Sequence, residues 1–465
     1  MSIKAFWQPV SARSYEVTSP TERFGHSAVV IDSSDVWGTE LVVIFGGVCN
    51  SSGSGNESKE LSALGDIVVF QTEANSWFSP KIHSSSCPEP RAFHCSVAIG
   101  KHVYIFGGHV LTYDRESNRK RRKFFNDLWR LDTDTWEWEC VSPDAVSPSG
   151  SGVSIPTRRD MSSLCAVPLS CLGIPSDLIR SEGETGFLTP SLPTSPSFSS
   201  PSFSSPSSSS SSSLPSSAAA LLANPPMGLV LFGGRLENGR LTGDTWIYLI
   251  HRALWVMLRP AVNSGYPPPR KLHSMTAVDC YPVPPSRHSL INSGGGGSGG
   301  GGSDGGGSDG GGGDGNNNSN NNGNPLRSRS AMDVSYLSTA GVYLYGGDRD
   351  NAVQDDLWVL RGSRGEPPRW TQLKPHNAPP GRFGHASAAL QNPSRLVIMG
   401  GCQVQSSLLS FSRSYTHCKD TCVLDLEKLT WVRTATATAS LSGASPTERM
   451  CHTLCAVNGV RGGGG

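Results

Sequence analysis

Five times along the chain an apolar, β-prone run ends in paired glycines: LVVIFGG at Gly46 and Gly47, VYIFGG at Gly107 and Gly108, LVLFGG at Gly233 and Gly234, VYLYGG at Gly346 and Gly347, and LVIMGG at Gly400 and Gly401. Each run is too short for an independent helix and lacks polar alternation, so it reads as a strand covered on both faces. The glycines let the backbone turn through positive φ, or approach a neighbouring chain where a Cβ would clash. One such module cannot bury its own faces, and its recurrence predicts that the copies shield one another.

Other features keep step with the glycines. Upstream lies an arginine, two residues, a histidine and another apolar run: Arg23 to His26, Arg91 to His94, Arg270 to His273, Arg382 to His385 and Arg449 to His452. The third repeat departs, with Arg159 followed by Asp160, Met161 and Ser162. Downstream comes an Asp-led apolar segment (Asp66, Asp127, Asp244, Asp356, Asp420), then a tryptophan at Trp77, Trp136, Trp255, Trp370 or Trp431. These parts make four strands per repeat.

The ordered set of Arg-x-x-His, apolar strand with Gly-Gly, Asp-led strand and Trp resembles the kelch repeat, whose period is about 50 residues. The resemblance implies an all-β kelch propeller of four-stranded blades. Five complete blades are expected near 23–77, 91–138, 158–255, 270–370 and 382–431. An incomplete sixth combines residues 1–10, with Trp7 at the tryptophan position, and 449–460, where RMCHTLCAV reads as a first strand.

Two low-complexity stretches interrupt the repeats, a Ser- and Pro-rich insert over 170–226 and a Gly- and Asn-rich insert over 281–326. Neither has the apolar content to offset its chain entropy, and both are expected to be disordered. The segment SRSAMDVSYL near residue 330 is a rival first strand for the fourth blade. Connections in an up-and-down blade alternate between two rims. The inserts therefore go to one rim, while the long loops 48–64, 109–125 and 402–419 share the other with the inter-blade segments. That second rim is the expected partner-binding surface, with Arg23, Arg91, Arg270, Arg382, Tyr113 and Tyr415 as its candidate residues.

Charge is nearly balanced, 39 Lys and Arg against 38 Asp and Glu, so no global field recruits nucleic acid or an anionic membrane. The N-terminus has no uninterrupted apolar core, and no run approaches the ~20 residues of a membrane span. A cytoplasmic protein is expected, with the nucleus open. The twelve cysteines are irregularly spaced, several (Cys95, Cys165, Cys455) lie in apolar runs, and they read as reduced. The RKRRK run at 119–123 reads as a solvated loop, or else as a nuclear signal or a hold for an acidic partner.

No catalytic set stands out. Five copies of the arginine and histidine suit a structural role in pinning the inter-blade turn, and the Asp residues suit turn formation. His94 with Cys95, His417 with Cys418 and Cys422, and Cys451 with His452 and Cys455 lack the paired spacing of zinc sites. No cofactor is expected. The phrasing is similar to plant and algal F-box kelch propellers, which recruit substrates to ubiquitin ligases, although a first blade starting near residue 23 leaves no room for an F-box. A non-catalytic protein-interaction scaffold is the leading expectation. The alternatives are a metal-dependent enzyme of the galactose oxidase or specifier type, whose ligand sets are not assembled here, and a cytoskeleton-associated organiser.

Overall fold

The computed structural model describes residues 20–32, 40–50, 61–114, 119–144, 154–174, 187–188, 225–259, 265–280, 339–350, 352–362, 367–391, 394–405, 414–434 and 446–457. All five blades belong to the unit formed by residues 1–280 and 339–465. Each blade is a four-stranded antiparallel meander, and the five are arranged in a ring as a β-propeller. Blade one uses Ser27–Asp32, Glu40–Asn50, Leu61–Gln71 and Ser76–Phe78, and blade two uses Cys95–Ile99, His102–Phe106, Leu128–Asp132 and Glu137–Ser142. Blade three comprises Ser163–Pro168, Met227–Phe232, Thr245–Leu249 and Leu254–Leu258. Blade four is built from Ser274–Val278, Gly341–Tyr345, Leu357–Arg361 and Arg369–Leu373, so Ser274–Val278, not the segment near residue 330, supplies its first strand. Blade five comprises Ala386–Leu390, Arg395–Met399, Thr421–Asp425 and Thr430–Thr434.

The core lies between blades. Four apolar clusters fill the four successive gaps, each drawing on the facing sides of two adjacent sheets. At every gap an aromatic that precedes the glycine pair meets a tryptophan of the next blade, edge-on for Phe45 with Trp138, Phe106 with Trp255 and Phe232 with Trp370 and tilted for Tyr345 with Trp431, with ring centroids 5.2–5.5 Å apart. In three of the gaps a histidine of the next blade adds a second ring: His94 on Phe45, His273 on Phe232 and His385 on Tyr345.

This geometry corrects one expectation. In blade two the repeat's tryptophan is Trp138, the second residue of its strand as in the other blades, and not Trp136. Trp136 sits in the tight turn before that strand at φ +55°, the place taken by Asn75, Ala253 and Leu429 elsewhere.

The ring closes without a sixth sheet among the described residues. Six residues of positive φ, Gly25, Phe93, Met161, Leu272, Gly384 and Cys451, are joined by backbone hydrogen bonds into a circle around the propeller axis. Phe93 donates to Gly25, Met161 to Phe93, Leu272 to Met161, Gly384 to Leu272, Cys451 to Gly384 and Gly25 to Cys451, over 2.8–3.3 Å. Residues 446–457 therefore take the sixth innermost position without forming a strand. The contribution expected from residues 1–10 lies outside the described residues.

The first insert begins later than position 170. Leu172 and Ile174 are buried in the cluster between blades three and four, and Phe187–Leu188 pairs in parallel with Leu254–Leu258 at the blade edge. The remainder of that insert before residue 225, and all of 281–326, lie outside the described residues.

The glycine pairs are sites of close backbone approach. At Gly346, φ is +67° and a Cβ would stand 2.5 Å from the carbonyl oxygen of Arg382. Gly346→Ala is expected to cost roughly 2–5 kcal/mol, the sum of left-handed strain and overpacking. Urea denaturation checks this, with the exposed Gly100→Ala, which meets nothing within 4 Å and carries only the φ strain, as the comparison.

Candidate interaction surface

The rim is held by a repeated staple. In every blade the arginine grips the Asp-led strand through two nitrogens: Arg23 on Asp66, Arg91 on Asp127, Arg159 on Asp244, Arg270 on Asp356 and Arg382 on Asp420, at 2.5–2.9 Å. The same guanidinium donates to the carbonyl of the first glycine of its own blade, at Gly46, Gly107, Gly233, Gly346 or Gly400. Its own backbone carbonyl accepts from the second glycine of the preceding blade: Gly47 to Arg91, Gly108 to Arg159, Gly234 to Arg270, Gly347 to Arg382 and Gly401 to Arg449. One residue thus clamps its own sheet and ties it to the neighbour. Burial alone would raise the Asp356 and Asp420 carboxyls, but the facing guanidinium more than offsets it and holds both below the usual carboxylate range.

Arg91, Arg270 and Arg382 are therefore fully buried, and the Arg23 side chain nearly so. The expectation that these four would meet a partner is corrected, because their side chains are buried or nearly so and their terminal nitrogens bind Asp carboxylates and glycine carbonyls inside the rim. The pairing with Asp was missed in the sequence. Its signal was the recurrence of one arginine and one aspartate per repeat, always in the same order.

Tyr113 and Tyr415 are exposed, at 57% and 49%. The long connections that carry them are antiparallel ribbons, not loops. In blade one the two central strands continue past the glycines, pairing Gly47 with Leu64 through to Asn50 with Leu61. In blade two His109–Asp114 pairs with Arg119–Phe124, so the RKRRK run is a strand. In blade five Cys402–Gln405 pairs with Ser414–His417. Single bridges of Phe24 to Val48, Ala92 to His109 and Phe383 to Cys402 fasten each ribbon to the inter-blade segment entering its blade, which places all three on one rim.

Apolar exposure concentrates there. Of the large hydrophobic side chains exposed among the described residues, Phe24, Leu61, Leu111, Tyr113, Val404 and Tyr415 lie on this rim, and only Leu390 and Val457 do not. Phe24 meets Phe93 edge-on, and Phe383 meets Tyr415 in the same way.

The departure at the third repeat also has a reason. Asp160 is fully buried, accepts two hydrogen bonds from Arg235 at 2.6 and 3.1 Å, and lies 2.8 Å from Nδ1 of His109 at the root of the blade-two ribbon. His109 in turn stacks on Phe93. Asp160 is the one acid at a position that other repeats fill with Phe24, Ala92, Lys271, Phe383 or Met450, and it fixes that ribbon to blade three.

Metal candidates do not converge. Among the described residues no three His, Cys, Asp or Glu side chains are grouped to hold a metal ion. His417 is exposed on its ribbon, whereas Cys422 is fully buried against Asp420. No helix among the described residues is long and apolar enough to cross a membrane.

Ring, staple and aromatic gaps together define a repeat propeller of the kelch class. Residues 6–168 match the family described as the KLHDC2/KLHL20/DRC7 Kelch-repeats domain. The chain is 35% identical over 127 residues to a host cell factor of Drosophila melanogaster, covering 27% of this chain and 8% of that protein. It is 30% identical over 122 residues to human Kelch domain-containing protein 3, covering 26% and 25%. It is also 26% identical over 268 residues to rat host cell factor 1, covering 56% and 12%. In each case the match spans a quarter or less of the relative's own length. By its repeats, its fold and these matches the chain is a kelch-repeat β-propeller.

Proposed function

We propose that the chain is a non-catalytic protein-interaction scaffold that grips its partner with the ribbon-bearing rim. The observation that supports this most directly is the gathering of six exposed apolar side chains onto one rim. Exposed apolar groups grouped on rigid, hydrogen-bonded ribbons suit the anchors of a protein interface, because little side-chain and backbone entropy is lost on docking. Recruitment of that partner to a ubiquitin ligase is the finer form of this reading. The similarity to kelch domain-containing proteins and host cell factors is consistent with a binding role and leaves the partner's identity to experiment.

The test is affinity capture with the full chain, followed by titration of the captured protein. Tyr113→Ala combined with Tyr415→Ala is expected to weaken binding about 30-fold or more, the effect of losing anchor residues. Leu390→Ser, at the connection between the first two strands of blade five and so on the opposite rim, serves as the control and is expected to leave binding within twofold. A partner that ignores the rim pair and responds to the control would reverse the assignment. Stoichiometric copper or iron in the purified protein would favour the enzymatic alternative.

A further inference from the structure

Among the described residues, the blade-two ribbon combines features not found together elsewhere on the rim. Its outer strand carries five consecutive cations, Arg119, Lys120, Arg121, Arg122 and Lys123, all exposed, against a single acid, Asp114, on the paired strand. Directly opposed residues of an antiparallel ribbon share a face. Leu111 lies opposite Arg122 and Tyr113 opposite Lys120, so one face presents two apolar side chains, 40% and 57% exposed, beside two cations. The inner end of that face is closed by His109 opposite Phe124, both buried. Arg235 lies over the Phe124 ring at 5.8 Å while bound to Asp160. The ribbon therefore projects from a fixed base.

We infer that this face binds a partner segment in which carboxylates alternate with apolar side chains, an acidic peptide laid along the ribbon. This rests on the reading of the rim as a protein-binding surface and names the chemistry one of its ribbons recognises. Alternation is required because Leu111 and Tyr113 form one row along the face and Arg122 and Lys120 a parallel row beside it, and an extended segment with alternating residues puts its apolar side chains on one edge and its carboxylates on the other. A phosphate backbone fits less well. It needs a track of cations that continues past the ribbon, and other cations of the rim are paired with acids: Lys123, at the inner end of the run, with Glu89 at 2.6 Å, Arg235 with Asp160, and, on the segment entering blade four, Lys271 with Asp348 and Asp350.

The experiment is fluorescence anisotropy with the full chain and a fluorescein-labelled, end-blocked peptide alternating glutamate with leucine and valine. The peptide is expected to bind, and to bind less tightly as salt rises. The double variant Lys120→Glu with Arg122→Glu changes only exposed side chains. It is expected to lose tenfold or more in affinity and to bind the lysine-for-glutamate version of the peptide in its place, a gain that a misfolded variant would not show. Leu390→Ser, on the opposite rim, is expected to leave peptide binding within twofold. Binding that survives the double charge reversal overturns the inference, as does failure of the peptide to bind at all. A single-stranded DNA 20-mer that binds more tightly than the peptide, with the same dependence on Lys120 and Arg122, assigns the ribbon to nucleic acid and also overturns it. If peptide binding is lost with Tyr415→Ala and kept with the charge reversal, the rim remains the binding surface and this ribbon is not its acidic-segment site.

Discussion

Replacing Arg91 with methionine is expected to lower the free energy of unfolding by about 3–5 kcal/mol, the cost of leaving one member of a buried ion pair alone. The side chain is fully buried. It donates to Asp127 at 2.6 and 2.9 Å, to the Gly107 carbonyl at 3.1 Å and to the Glu89 carbonyl at 3.0 Å, and it lies over the Phe125 ring at 4.0 Å. Methionine keeps much of the volume and restores none of these donors. Asp127, whose side chain is 9% exposed, would keep only the Trp129 indole N–H at 2.7 Å as a side-chain donor. The same change at Arg23 is expected to cost about 1 kcal/mol or less, because the Asp66 carboxylate is 44% exposed and water can take over. Urea titrations of both variants measure the difference. Equal losses would show that burial of the carboxylate does not set the cost. Combining Arg91→Met with Asp127→Leu is expected to recover much of the loss, since the unpaired charge is then gone.

Acidification gives the second large effect. Burial first, and then the arginine three residues earlier, push His94 and His273 down to about 3 and His26 and His452 to about 4, and hold His385 well below its ordinary value. The unfolded chain takes up these protons near pH 6.5 and the folded ring does so only far lower. Stability is therefore full above about pH 6.5 and is lost progressively as pH falls toward 4, at about 1.4 kcal/mol per pH unit for each histidine. Asp244, Asp356 and Asp420 have folded values below the carboxylate range, so their contribution is lost only at lower pH. Loss between pH 6.5 and 4.5 thus reports the histidines. Urea midpoints measured across that window should fall steadily, and His94→Gln should flatten the slope. A midpoint constant to pH 4.5 would show that these imidazoles are solvated in the folded protein.

Much of this was legible from the residues. The apolar runs ending at the glycine pairs are the second strands of all five blades, and Arg-x-x-His marks the entry to the first strands of blades one, two, four and five. What escaped notice depends on tertiary geometry. The arginine and its aspartate are 36 residues apart in blade two but 85 and 86 in blades three and four, where the inserts fall between them, so no fixed spacing announces the pair. Trp136 and Trp138 share one parity in the run TWEWE, and only the left-handed turn at residue 136 shows which begins the count. The ribbons were read as loops because RKRRK has no β-prone pattern. Their pairing is imposed from the base, where the inter-blade segment bridges to the residue after each glycine pair in blades one, two and five.

The circle of six backbone hydrogen bonds constrains how the molecule can yield. Each of its members is donor to one neighbour and acceptor from the other, so the circuit has a single sense of rotation and no terminus at which to fray. Parting any two sectors breaks a link and strands one amide and one carbonyl, and widening the hub stretches all six at once. A hinged, clamshell opening is thereby penalised, and the ribbons keep fixed mutual spacing like studs on a rigid wheel. A ligand that touches two of them must match that spacing before it arrives.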